Sequence, residues 1–147
     1  ALSLSAYSFS ATLGAFLGGT LSDRLGRKAV LVGTLAFGLP LYLGLLFLPP
    51  GGAPYLVLLA LAGALMNAGI PVAVALAQEL EPGQTATVSG LLMGFTWGFA
   101  GLFYAPIGHL IEVFGVMPVL LALGALILPA WALAQGVREP GAGPKEA

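Results

Sequence analysis

The chain has 147 residues, of which 59% are hydrophobic and 7% charged, whereas ordinary soluble domains run at about 45–50% and about 25%. So few charges cannot cover the surface of a soluble fold of this length, and the chain reads as a membrane protein before any motif is considered. A net charge of −1 with five Lys and Arg excludes a broad nucleic-acid surface, and the lack of cysteine excludes disulfides, thiolate metal sites and cysteine nucleophiles.

The stretch Ala1–Ser10 has no basic segment, so no secretory signal peptide is visible. The chain begins without Met inside an apolar run and reads as part of a longer protein. A spanning helix needs about 20 mainly apolar residues, because the hydrocarbon core is roughly 30 Å thick and each residue rises about 1.5 Å. Five segments meet or approach that length: Ala1–Leu21, Ala29–Leu48, Tyr55–Ala77, Ala86–Ile111 and Val116–Ala134. The expected fold is all-α, with residues 1–135 as a five-helix transmembrane bundle. Between the segments lie the charged connector Ser22–Lys28, the Pro/Gly turn Pro49–Pro54, the polar turn Gln78–Gln84 and the short turn Glu112–Gly115. The tail Gly136–Ala147 is polar and expected to be disordered.

Orientation follows from the basic residues. Five spans place Ser22–Lys28, Gln78–Gln84 and the tail on one side. Arg24, Arg27, Lys28, Arg138 and Lys145 all lie there, and the opposite turns carry none. The positive-inside rule makes that side cytoplasmic.

The helices differ in polarity. The second has only Thr34 and Tyr42 as polar side chains, and the fifth is apolar apart from Pro118, Pro129 and Trp131; both suit a lipid-facing position. On the first, Ser3, Tyr7, Ser10, Gly14 and Gly18 share a face. On the third, Ala60, Gly63, Ala64, Asn67, Pro71 and Gln78 do so. The fourth carries a stripe of Gly90, Gly94, Gly98, Gly101, Ala105 and Gly108. Such stripes let helix backbones approach closely in lipid.

The connector Gly19-Thr20-Leu21-Ser22-Asp23-Arg24-Leu25-Gly26-Arg27-Lys28 resembles the loop signature of the major facilitator superfamily, G-x-L-x-D-R-x-G-R-K. In that family the signature joins the second and third helices of each six-helix half. The resemblance implies that the five segments are helices eight to twelve, a partial C-terminal half of a twelve-helix transporter. Eight, ten and eleven would then line the cavity, with nine and twelve outside, which matches the polarity of the five segments. The turn Ala77–Gly83, followed by Val88-Ser89-Gly90-Leu91, is similar to the fosmidomycin-resistance branch of bacterial drug-efflux proteins.

Several residues are candidates for function. Gly19, Asp23, Arg24, Gly26, Arg27 and Lys28 form the loop motif. Gly26 can supply the positive φ that reverses the chain. The resemblance implies that Asp23 latches one transporter state by facing a helix N-terminus of the other half. Glu79 and Glu81 lie on the same side, and Arg27 or Arg24 is expected to meet Glu79. Tyr7, Ser10, Asn67, Thr96, Trp97 and Tyr104 are candidates for the substrate cavity, with Tyr7, Ser10, Asn67, Thr96 and Trp97 expected to share an interior near mid-membrane. Pro71 frees the backbone carbonyl of Asn67, four residues earlier. His109 and Glu112 share a helix face near the outer end and form a possible titrating pair.

No Asp, Glu, Lys or Arg lies in the middle third of any segment. No phosphate-binding loop, H-E-x-x-H or Ser/His/Asp set is present, so an enzyme is not expected, nor is a metal or cofactor. The expected function is transport of small, partly apolar compounds by alternating access, with drug efflux as the specific role. The alternatives are uptake or exchange of a metabolite, and a non-transporting membrane interaction protein. The expected partners are lipid, a small-molecule substrate and the N-terminal helices of the same protein, in a bacterial inner membrane and without nucleic acid.

Overall fold

Long apolar runs leave the backbone one way to satisfy its polar groups in lipid, by helical hydrogen bonds within each run. The computed structural model describes residues 2–137 and has that form throughout. Its helices are α1 (Leu2–Leu25), α2 (Arg27–Phe47), α3 (Ala53–Leu80), α4 (Pro82–Phe114) and α5 (Val116–Gly136). The tail from residue 138 onward, with Arg138 and Lys145, lies outside the described residues, as does Ala1.

The breaks are shorter than the sequence implies. The expected loop Ser22–Lys28 contracts to Gly26, whose φ of 94° turns the chain between two helices. Its N–H still donates to the Ser22 carbonyl at 3.0 Å. Ser22, Asp23 and Arg24 therefore complete α1, and Arg27 and Lys28 begin α2. The turn at Glu112–Gly115 contracts in the same way to Gly115, with φ 86°. Gln78 and Glu79 stay helical in α3, and Glu81 alone separates that helix from a 3₁₀ turn at Pro82–Gln84. Charged and amide side chains extend a helix readily once its last turn reaches water, so polarity marked where the membrane ends and not where the helix ends.

Among the described residues, four helices, α2 to α5, are long and apolar enough to cross a membrane. The first expected span is helical over Leu2–Leu25 and carries Ser3, Ser5, Ser8, Ser10 and Thr12 among its apolar residues. Four of its hydroxyls bond back to carbonyls of the same helix. Ser10 donates to the Tyr7 carbonyl at 2.9 Å, Thr12 to Ser8 at 3.0 Å, Thr20 to Leu17 at 3.0 Å and Ser22 to Gly19 at 2.7 Å. Such bonds lower the cost of serine and threonine in lipid.

Helix α3 is central and packs along α1 and α2. On α1 the buried residues are Ser10, Gly14, Gly18 and Ser22, one every fourth position. A side chain at Gly14 would strike the Ala64 backbone, and one at Gly18 would lie 2.5 Å from the Ala68 carbonyl oxygen. The two backbones touch across the stripe. Val30 of α2 and Ala62, Val72 and Leu76 of α3 are also buried.

The two uncharged polar side chains of α2 face protein. Thr34 is buried and would lie 2.9 Å from a side chain on Gly69. Tyr42 donates its hydroxyl to the Leu120 carbonyl of α5 at 2.9 Å, with its ring over Gly124. Helix α5 breaks at Leu126, where the amide bonds Leu123 three residues back. Pro129 has no N–H to offer Ala125, which weakens the helix at that point.

Helix α4 is anchored at its ends. Its first turns meet α3 and its last turns meet α5. Gln78 of α3 donates to Ser89 Oγ at 2.6 Å, and Ser89 donates to the Thr85 carbonyl at 2.7 Å. A π-helical turn follows at Leu91–Phe95. No residue from there to Phe114 is buried.

Candidate functional site

Two polar sites stand out on this scaffold. The first gathers the ends of α1, α2 and α3 at one membrane face. Reversal at Gly26 brings the first residue of α2 against the last turn of α1, and α3 ends beside both. Arg27 lies between them. Its Nη1 is 2.9 Å from Asp23 Oδ1 and donates to Ser22 Oγ at 2.6 Å, and its Nε donates to Glu79 Oε1 at 3.0 Å. One guanidinium on α2 thus joins a carboxylate and a hydroxyl of α1 to a carboxylate of α3.

Burial in this cluster is graded. Ser22 is 2% exposed, whereas the side chains of Arg27, Glu79 and Asp23 are 23%, 41% and 63% exposed. The planar fork of arginine suits this task, since it offers separate N–H groups in fixed directions. Asp23, the most accessible member, sits at the rim, where its carboxylate can change partner without exposing a buried charge.

Of the two arginines expected to meet Glu79, Arg27 is the one that does. Among the described residues, Arg24, Lys28 and Glu81 take part in no ion pair. Gly19 lies in α1, and its carbonyl accepts the Ser22 hydroxyl. The part of Ser22 was missed from the sequence. The signal was there, because Ser22 continues the spacing of Ser10, Gly14 and Gly18 and directly precedes Asp23.

The second site lies deeper. Asn67 Nδ2 donates to the Gly63 carbonyl at 2.8 Å and to the Tyr7 hydroxyl at 3.2 Å. Ser10 is buried one turn from Tyr7, beside Gly63. Tyr7, Ser10 and Asn67 therefore come together where α1 crosses α3.

Thr96, Trp97 and Tyr104 are not brought to that node. They stand on the unburied part of α4, with Trp97 70% and Tyr104 77% exposed. The shared interior expected for Thr96 and Trp97 with Tyr7, Ser10 and Asn67 is thus not formed by these helices. The physical reason is that α4 leaves α3 after Ser89. His109 Nδ1 and Glu112 Oε2 are 3.8 Å apart on an exposed face, and no described residue joins them in a hydrogen bond.

Between α1, α2 and α3 runs a groove of about 300 Å³, lined by residues such as Leu17, Leu21, Leu61 and Leu65. Thr34 also lines it, but its hydroxyl is engaged with the Leu31 carbonyl at 2.9 Å. Among the described residues no group of His, Cys, Asp or Glu is arranged to hold a metal ion.

The chain is 38% identical over 116 residues to the "Uncharacterized MFS-type transporter YfnC" of Bacillus subtilis (strain 168), covering 78% of this chain and 27% of that protein. It is 34% identical over 108 residues to the "Fosmidomycin resistance protein" of Escherichia coli (strain K12), covering 73% of this chain and 26% of that protein. The chain thus spans about a quarter of each relative, as the 27% and 26% coverages show. No solved structure gives a significant match. The family model described as "Major Facilitator Superfamily" matches residues 1–147, and the chain, an integral membrane protein by its apolar helices, belongs to that superfamily of transporters.

Proposed function

We propose that this chain is the C-terminal transmembrane part of a transporter that exports small, partly apolar compounds by alternating access, with drug efflux as its role. The observation that carries the reading is the Asp23–Arg27–Glu79 cluster, in which two residues of the family's loop motif, Asp23 and Arg27, meet Glu79 of α3 and tie three helix ends at one membrane face. The likeness to a fosmidomycin resistance protein supports efflux over uptake.

Arg27 holds Asp23 at 2.9 Å from one side and Glu79 from the other. With the cluster intact, α1, α2 and α3 move as one body. Asp23 is also free to face a helix N-terminus contributed by the rest of the protein, where aligned backbone dipoles favour a carboxylate by about 0.3–1 kcal/mol, rising to about 2 when partly buried. A term of that size biases the balance of two transporter states without unfolding either. Tyr7, Ser10 and Asn67 form part of the substrate path, which other helices complete.

The cluster faces the cytoplasm of a bacterial inner membrane, as does the tail, because every basic residue lies on that side. The chain has no cysteine, so a single Cys at Gly52 reports orientation directly. An impermeant maleimide is expected to label it from outside the cell, and labelling only from the cytoplasmic side would reverse the assignment.

Transport itself is tested with the full-length protein in proteoliposomes and a panel of antibiotics that combines partly apolar compounds with the polar phosphonate fosmidomycin, with and without a pH gradient. Movement of at least one compound above empty liposomes is expected. Rates equal to empty liposomes across the panel would sink the efflux reading.

A further inference from the structure

The node between α1 and α3 has an asymmetry that fixes its chemistry. The Gly63 carbonyl can only accept, so the Asn67 atom 2.8 Å from it is the amide nitrogen. That nitrogen gives its second hydrogen to the Tyr7 oxygen at 3.2 Å. Both amide hydrogens are then used. Among the described residues, no donor reaches Asn67 Oδ1 and no acceptor takes the Tyr7 hydroxyl proton. One acceptor and one donor are left, separated by a single amide nitrogen. The Asn67 backbone carbonyl adds a further acceptor, because Pro71 has no N–H to give it.

The node is held in place before any ligand arrives. The Tyr7 ring lies on Gly63, where an added side chain would come within 2.9 Å of both Tyr7 Cδ2 and Ser10 Oγ. Ser10 turns its own hydroxyl back to the Tyr7 carbonyl at 2.9 Å. A donor and an acceptor fixed in this way bind without a large ordering cost. The node is also neutral. The only charged residues of α1 are Asp23 and Arg24 in its last turn, and the only one of α3 is Glu79 near its end.

We propose that Tyr7 and Asn67 form a recognition point for an uncharged carboxamide on an aromatic or apolar body. Asn67 Oδ1 accepts the ligand N–H, and the Tyr7 hydroxyl donates to the ligand carbonyl. A primary amide or a lactam presents those two groups side by side on one edge. A carboxylate offers acceptors alone and an ammonium donors alone. Each would leave one protein group unmatched and carry an uncompensated charge between helices. The assignment rests on the transporter reading above and names the kind of compound it carries.

The test uses the full-length protein in lipid nanodiscs and two fluorescent probes, 1-naphthamide and N,N-dimethyl-1-naphthamide. The second keeps the carbonyl and loses both N–H groups. The wild-type protein is expected to bind naphthamide about tenfold more tightly, equivalent to about 1.4 kcal/mol. Asn67→Leu is expected to bring that ratio close to one. Tyr7→Phe keeps the ring on Gly63 and is expected to weaken both probes alike, with the ratio retained. Equal binding of the two probes by the wild type, or no binding of either, overturns the proposal. If panel compounds are still transported in that case, only the recognition chemistry falls. If none is transported, the transporter reading falls with it.

Discussion

Helices α1 and α4 carry the same sequence device and use it in opposite ways. Each has small residues at helical spacing along one face. On α1, Gly14 and Gly18 bring the backbone against Ala64 and Ala68 of α3, and a Cβ at either would collide. On α4, a Cβ at Gly90, Gly94, Gly98, Gly101 or Gly108 meets nothing within 4 Å. The difference lies in the opposing surface. Helix α3 answers α1 with Gly63, Ala64 and Ala68 at matching positions, whereas no described helix does so for α4. A small-residue stripe therefore states that a backbone can come close, and its partner must be read from a second stripe.

The largest effect is expected from filling one glycine on each helix. Gly14→Ala places a methyl group into the Ala64 backbone and is expected to cost roughly 3 kcal/mol or more, at or beyond the upper end for overpacking. Gly98→Ala is expected to change stability by less than about 1 kcal/mol, in the stabilising direction, because alanine is the better helix former. Unfolding of this chain in lipid measures both. Equal losses at the two positions would show that the face of α4 is covered after all.

A smaller effect is expected where α2 meets α5. A Cβ on Gly124 would lie 2.6 Å from the Tyr42 ring, so Gly124→Ala is expected to cost about 1–3 kcal/mol. Most of that cost should vanish in a Tyr42→Ala background, where the two changes share one contact. An additive pair would remove the Tyr42–Gly124 contact from the account.

Much of this organisation was legible in the sequence. The number and order of helices followed from the apolar runs, and Gly26 was identified as the reversal point because glycine adopts positive φ without steric cost. The close face of α1 followed from Ser10, Gly14 and Gly18. Helix ends were less legible. Asp23, Arg24, Gln78 and Glu79 are as polar as loop residues but stay helical, since hydropathy reports contact with water and not backbone geometry. The Tyr42 bond to Leu120 joins residues 78 positions apart. A lone tyrosine in an apolar helix has no periodic signal that could announce it. The separation of Thr96 and Trp97 from Asn67 was hidden for a similar reason, because it depends on the direction in which α4 leaves Ser89.

The weakest expected effect on stability lies at the ion cluster, where side chains are partly exposed. Glu79→Gln removes one arm of Arg27 and is expected to cost about 1 kcal/mol or less, with a smaller difference at high salt. Unfolding at low and high ionic strength checks it. A large, salt-independent loss would mean that the pair is a structural core element and not an adjustable contact.

On the function proposed above, this cluster sets the balance between transporter states and adds little to folding. The most direct measurement is the export rate of a transported compound by the full-length protein with Asp23→Asn, at equal membrane abundance. The substitution keeps size and removes the charge that Arg27 holds at 2.9 Å. A clear fall in rate with unchanged abundance and thermal stability is the expected result. An unchanged rate would leave Asp23 as no more than a solvated acid at the end of a helix.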